Sequence, residues 1–253
     1  MQLDSSQQAV LEACLPACAL SVLGAPGSGK STLLAACVEQ IARKYPGARI
    51  AVLNADRKAA GDLRNSLSRT LGGLPDNISV QSVAAFAFTI LSTFAQAVGR
   101  EEPQLLSGAE QDLILKEIFT LAGGAENAEA IFSFPGLEKF NADAQGLPDF
   151  RSEFRDLLMR AAELNLTPAD LAQLGEKYHN PIWGIGSEIM AAYEKSLAAA
   201  AGIKSANPDR IDHARLVSSA AGILRHWTAA FAATELKALD MKKPRWDWVL
   251  IDF

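Results

Sequence analysis

Apolar and polar positions alternate along the chain in two regimes. After Asp4, a residue suited to cap a helix, Val10, Leu11 and Cys14 fall on one side of a first short helix that Pro16 helps to end. Cys18 to Leu23 then reads as an apolar strand. From Lys30 to Lys44, Leu33, Leu34, Cys37, Val38 and Ile41 recur at helical spacing, and the pattern stops before Pro46-Gly47. Ile50 to Leu53 is a short apolar run of the buried parallel-strand kind. Asp56 to Leu71 is helical again, with Ala59, Ala60, Leu63 and Leu67 inward and Gly72-Gly73 as the stop. Ile78 to Val80 predicts a third strand, and Val83 to Val98 an apolar helix broken by Gly99. Strand followed by helix, three times over, implies right-handed crossovers and a doubly wound parallel sheet.

Beyond about residue 100 the regime changes. Between Ser107 and Glu235 the periodicity is helical throughout and predicts no strand. Ser107 and Glu110 have capping-box spacing for a helix over Ala109–Leu121, closed by Gly123-Gly124. Phe150 to Leu164 puts Phe150, Phe154, Leu157, Leu158 and Ala161 on one face and Arg151, Arg155, Asp156 and Arg160 mostly outside. Thr167-Pro168 opens a short helix with proline in its first turn, and helices over Pro181–Ala201 and Asp209–Ala233 follow, separated by Gly202 to Pro208. Strand character returns at Trp246 to Asp252. The expected organisation is therefore a core over 1–100, an all-helical insertion over 101–240, and a return to the core over 241–253.

Composition narrows the class. The chain has 253 residues, enough for a full core, and no apolar run long enough to span a bilayer. Its N-terminus lacks a basic start followed by an apolar segment, which points to a cytoplasmic protein. Cys14, Cys18 and Cys37 have no Cys or His neighbours at metal-ligand spacing and read as buried or half-buried thiols. The net charge of −5 conceals an asymmetry. Residues 1–100 carry nine Lys/Arg against six Asp/Glu, and residues 101–253 carry fifteen against twenty-three. Seven of the basic residues lie within Arg43 to Arg69, either a phosphate-tracking surface or solvated helix faces.

One stretch carries the chemistry. Gly24-Ala25-Pro26-Gly27-Ser28-Gly29-Lys30-Ser31-Thr32 fits G-x-x-x-x-G-K-[ST], after an apolar run and before a helix. Its glycines let backbone N–H groups curl around an anion, Lys30 is placed to reach the β- and γ-phosphates, and Ser31 offers a hydroxyl to Mg²⁺. At the far end, Asp252 after three apolar residues has the form of a Walker B carboxylate holding Mg²⁺, or of an aspartate that merely ends a strand. ATP and Mg²⁺ are the expected cofactors, and an incomplete P-loop NTPase α/β sheet is the expected fold.

These motifs together resemble the N-terminal half of the UvrD/Rep-type superfamily-one DNA helicases. Leu3 to Val10 resembles the Q motif, in which Gln7 would hydrogen-bond the adenine edge. Ala51 to Ala60 resembles motif Ia, and Val80 to Phe88 occupies the place of motif Ib; the resemblance implies DNA contacts at Asn54, Arg57, Lys58 and Ser82. Leu106 to Asp112 and Phe150 to Ala161 resemble the helical insertion, subdomain 1B, of AdnA/AdnB-like helicase–nuclease subunits. The resemblance implies a RecA-like core, single-stranded and duplex DNA as partners, a second helicase–nuclease subunit as another, and catalytic roles for Lys30 and Asp252. The chain also departs from the family. Asn54 stands where threonine is usual, Ala84 where histidine is usual, and Phe253 follows Asp252 where a water-activating glutamate is expected. The expectation is a fragment of a motor that binds ATP without unwinding DNA by itself. Two alternatives stay open, a degenerate helicase-like subunit that holds nucleotide and a protein partner, and a P-loop kinase or small-molecule ATPase. The four tryptophans, Trp183, Trp227, Trp246 and Trp248, are read as packing residues.

Overall fold

A computed structural model describes residues 3–15, 19–122, 148–202, 210–227 and 243–252. It is a mixed α/β structure, mostly helical, with a small parallel sheet. The chain divides into two compact units, Met1–Thr89 with Lys242–Phe253, and Ile90–Met241.

In the first unit α1 (Ser5–Ala13) leads to α2 (Lys30–Lys44), β1 (Ile50–Asn54), α3 (Arg57–Leu71), β2 (Ile78–Ser82) and the start of α4 (Val83–Ala97), and β5 (Trp248–Asp252) closes it. The strands lie in the order β2-β1-β5, all parallel. Register explains the core. Ile50 pairs with Ile78 and Trp248, and Val52 with Val80 and Leu250, so every second residue of three strands presents one apolar face. Val38 and Ile41 from α2 and Leu63 and Leu67 from α3 pack on that face. The central strand β1 is buried at every position, as a strand paired on both edges should be. Asp56 caps α3 by accepting the Ala59 N–H at 2.8 Å, and Gly72 ends it in the left-handed conformation that the sequence stop implied.

The expected first strand is not formed. Residues 19–23 pair with no strand among the described residues, and Leu23 is 93% exposed. A strand needs a neighbour for its backbone groups, and an apolar run alone supplies none. Along β5, Val249 and Ile251 are likewise half exposed.

The second unit contains the rest of α4, then β3 (Gln104–Leu105), α5 (Gly108–Ala122), α6 (Pro148–Glu163), α7 (Pro168–Lys177), α8 (Pro181–Gly202), β4 (Arg210–Ile211) and α9 (His213–Arg225). Both expected helix starts carry reciprocal capping boxes. Ser107 N–H donates to Glu110 Oε2 at 2.8 Å while Glu110 N–H donates to Ser107 Oγ at 3.3 Å, and Thr167 and Asp170 repeat the arrangement with Pro168 in the first turn. Leu115, Ile118 and Phe119 of α5 meet Phe154 and Leu158 of α6, Leu171 of α7, and Ile185, Ile189 and Tyr193 of α8. A Cβ on Gly175 would lie 3.1 Å from the Gly184 backbone nitrogen, so the close approach of α7 to α8 requires a residue without one.

Two expectations for this segment are corrected. It does contain strand, since β3 and β4 pair in parallel over two residues each, a ladder too short to leave a periodic signal. Arg151, expected outside, is buried, and its guanidinium grips Asp112 through bonds of 3.0 and 3.3 Å. Glu110 also receives Arg210 at 2.9 Å, joining α5 to β4. Predictions that fall on Pro16 to Cys18, Gly123-Gly124, residues 203–209 and residues 228–242 lie outside the described residues. Among the described residues no helix is long and apolar enough to cross a membrane.

Candidate nucleotide site

The phosphate-loop stretch forms an exposed turn that runs directly into α2. Ser28 N–H donates to the Ala25 carbonyl at 3.2 Å, and Gly27 and Gly29 both have φ near +80°. Gly29 is the N-cap of α2 in the left-handed conformation, so no side chain competes there for the first N–H groups of the helix. Lys30, the first residue of α2, turns back over the loop. Its Nζ donates to the carbonyls of Gly24 and Ala25, each at 2.9 Å. The ammonium is thus held beside the backbone that an anion would approach, with the N-terminal dipole of α2 aimed the same way.

Gln7 reaches this loop from α1. Its Nε2 donates to the Ser28 carbonyl at 3.1 Å, and its Oε1 accepts the Asp4 N–H at 3.1 Å. Asp4 in return accepts the Gln7 N–H at 2.8 Å, completing a capping box that the sequence analysis passed over, although Asp4-x-x-Gln7 has its spacing. Hydrogen bonds from Ser6 and the Gln7 backbone hold the Asp4 carboxyl below the usual aspartate range. Both ends of the Gln7 amide are therefore engaged within the protein, and reading an adenine edge requires releasing at least one. A Cβ on Gly29 would lie 3.0 Å from Gln7 Nε2. Gly29→Ala is accordingly expected to cost about 1–2 kcal/mol from the left-handed backbone alone, and to displace Gln7, as urea unfolding and the side-chain amide NMR signal of Gln7 would show.

The carboxyl ends of the three strands are in register: Asn54 pairs with Ser82 on one side and Asp252 on the other. All three are polar, and they gather at the edge of a parallel sheet where ligands commonly bind. Asn54 Nδ2 donates to Asp252 Oδ2 at 3.5 Å, and Asn54 Oδ1 is buried without a hydrogen-bond partner. Asn54 is 2% exposed and Ser82 is buried, its Oγ accepting the Ala85 N–H at the start of α4. These two expected DNA contacts thus sit inside the strand ends instead of on the surface. Arg57 and Lys58, in the first turn of α3, are exposed. Other members of the basic cluster are engaged locally: Arg43 with Glu39, Arg64 with the Val80 carbonyl, Arg69 with the Asn65 carbonyl.

The residues present suit a nucleotide with Mg²⁺. A loop with glycines at positive φ, a lysine ammonium at its neck, and hard oxygen donors from Ser31 and Asp252 match the preferences of phosphate and of a small divalent cation. No cluster of three or more His, Cys, Asp or Glu residues that could hold a metal occurs among the described residues, so the protein's share of the coordination would be these few oxygens.

The family profile of the UvrD/REP helicase N-terminal domain matches residues 3–252. The chain belongs to the UvrD/REP helicase family. That family comprises DNA helicases, which use ATP with Mg²⁺ and bind DNA. No curated protein sequence matches the chain significantly.

Proposed function

We propose that this UvrD/REP family chain is the ATP-binding first part of a motor that translocates on single-stranded DNA and unwinds duplex in DNA repair or recombination. The observation that carries the reading is the Gly24–Thr32 loop, running into α2 with Lys30 folded over its carbonyls, in a chain that matches a helicase domain from end to end. In this reading the first unit is part of a RecA-like core and the helical unit corresponds to subdomain 1B. The backbone of Gly24 to Gly29 and the Lys30 ammonium hold the phosphates, Ser31 and Asp252 hold Mg²⁺, and Gln7 selects adenine by exchanging one of its present hydrogen bonds for the base. ATP with Mg²⁺ supplies the energy of the stroke. Arg57 and Lys58 supply the nonspecific phosphate contacts to single-stranded DNA, and Asn54 and Ser82 shape the strand ends beneath them. A second helicase–nuclease subunit of the AdnA/AdnB kind is the proposed protein partner.

Position 253 is phenylalanine, so no carboxylate adjacent to Asp252 is available to activate water. The chain as given is therefore expected to bind MgATP and turn it over poorly. The deciding experiment measures ATP binding by this chain and DNA-stimulated hydrolysis by the full polypeptide of its gene. Binding here, with hydrolysis there that rises on adding single-stranded DNA, supports the motor. A full polypeptide that binds ATP but stays inert with DNA points to the degenerate subunit instead. Failure to bind ATP removes both.

A further inference from the structure

Helix α1 is nine residues long and buries none of them, so its attachment to the core rests on a few contacts at its two ends. At one end Gln7 touches the phosphate loop through the Ser28 carbonyl. At the other, Leu15 packs against the α2–sheet core, and Cys14, half-buried at the C-cap, lies in side-chain contact with Cys37 on the buried face of α2. The segment between these two cysteines contains the entire phosphate loop, Gly24 to Thr32. No other role described above uses either thiol.

We propose that Cys14 and Cys37 form a redox latch, in which a peroxide oxidises them to a disulfide that fastens α1 to α2 and encloses the phosphate loop in a covalent ring. The Cys14 thiolate attacks the peroxide, forming an S–O bond as the O–O bond breaks and hydroxide leaves. The Cys37 sulfur then attacks the sulfur of the sulfenic acid, the S–S bond forms, the S–O bond breaks, and the departing hydroxide takes the Cys37 proton as water. Two thiols together give up two electrons and two protons, and one peroxide becomes two waters. The order follows from environment. Burial, with the neighbouring Cys14 thiol adding to it, pushes Cys37 up to about 12, which keeps it protonated and leaves the more accessible Cys14 to react first.

Reduced, α1 can swing away and release the Gln7 contact; oxidised, it cannot. The effect on nucleotide rests on the ATP-binding reading above, whereas the disulfide and its effect on α1 do not. The test uses the full chain in a Cys18→Ser background, so that one pairing only is possible, treated with hydrogen peroxide and mapped under non-reducing conditions. The expected results are a Cys14–Cys37 linked peptide reversed by dithiothreitol, amide exchange across Ser5–Ala13 slowed about tenfold, and release of a fluorescent ATP analogue slowed about threefold. Cys14→Ser and Cys37→Ala should each abolish all three changes while retaining the fold by circular dichroism. Oxidation that stops at a Cys14 sulfenic acid without closing overturns the proposal, and so does a disulfide that leaves α1 exchange unchanged. A latched α1 in a protein that binds no ATP in either state would leave the latch standing and remove the nucleotide reading.

Discussion

Lys30→Ala is expected to weaken ATP binding by roughly a hundredfold, the loss of about 3 kcal/mol of charge-assisted hydrogen bonding to phosphate, while leaving the stability of the chain within about 0.5 kcal/mol of its original value. The second half of that expectation makes the test specific. Lys30 occupies the first turn of α2, where the helix dipole disfavours a cation, and its ammonium bonds only to carbonyls of the exposed loop, Gly24 and Ala25, which water can satisfy in its absence. A lysine placed for stability would sit at the other end of the helix, as Arg43 and Lys44 do. Removing Lys30 should thus separate binding from folding. Titration with a fluorescent ATP analogue, beside a urea unfolding curve, gives both numbers. Unchanged affinity would mean that the loop does not hold phosphate, and a large loss of stability would make Lys30 a structural residue.

What the sequence disclosed, and what it withheld, divides along the range of the interactions. Local patterns were legible: the stripe of Leu33, Cys37, Val38 and Ile41 on α2, the Ser107/Glu110 box, and the Thr167-Pro168 start all involve residues within a few positions of one another. The phosphate loop was legible for the same reason. Pairing was not. Cys18 to Leu23 has the composition of a strand, yet strand formation is decided by a neighbour that the run itself does not specify. Arg151 looked like an outward residue on α6 because its partner, Asp112, comes from α5. Gln7 shows a subtler limit. Its identity suggested base recognition, but only the coordinates reveal that its amide is already divided between Asp4 and Ser28. Asn54 and Ser82 likewise carry the polarity of a contact surface and occupy buried strand ends. Sequence polarity marks where chemistry is concentrated; burial decides which of those groups a ligand can touch.

The largest structural loss is expected from the helical unit. Phe154→Ala should destabilise that unit by about 3–5 kcal/mol, since it removes a buried ring from a close-packed cluster that can collapse only partly into the gap. Phe154 is 4% exposed, and its ring centroid lies 5.7 Å from that of Phe119 and 5.1 Å from that of Phe150. Phe119 also meets Phe150 at 5.6 Å, so the three rings form a closed triangle between α5 and α6 and the substitution breaks two of its three sides. Leu158, one turn further along α6, continues the same face toward Ile189 and Met190 of α8, which ties the triangle to the rest of the cluster. Phe154→Leu retains most of the apolar volume and loses the ring geometry, so it should cost less than half as much as the alanine. Urea unfolding of the three proteins, followed by far-ultraviolet circular dichroism, distinguishes the cases. Equal losses for leucine and alanine would assign the stability to ring–ring geometry. A loss below about 1 kcal/mol for alanine, the range of a surface change, would mean that α5 and α6 do not pack through this residue, and the helical unit would need a different core.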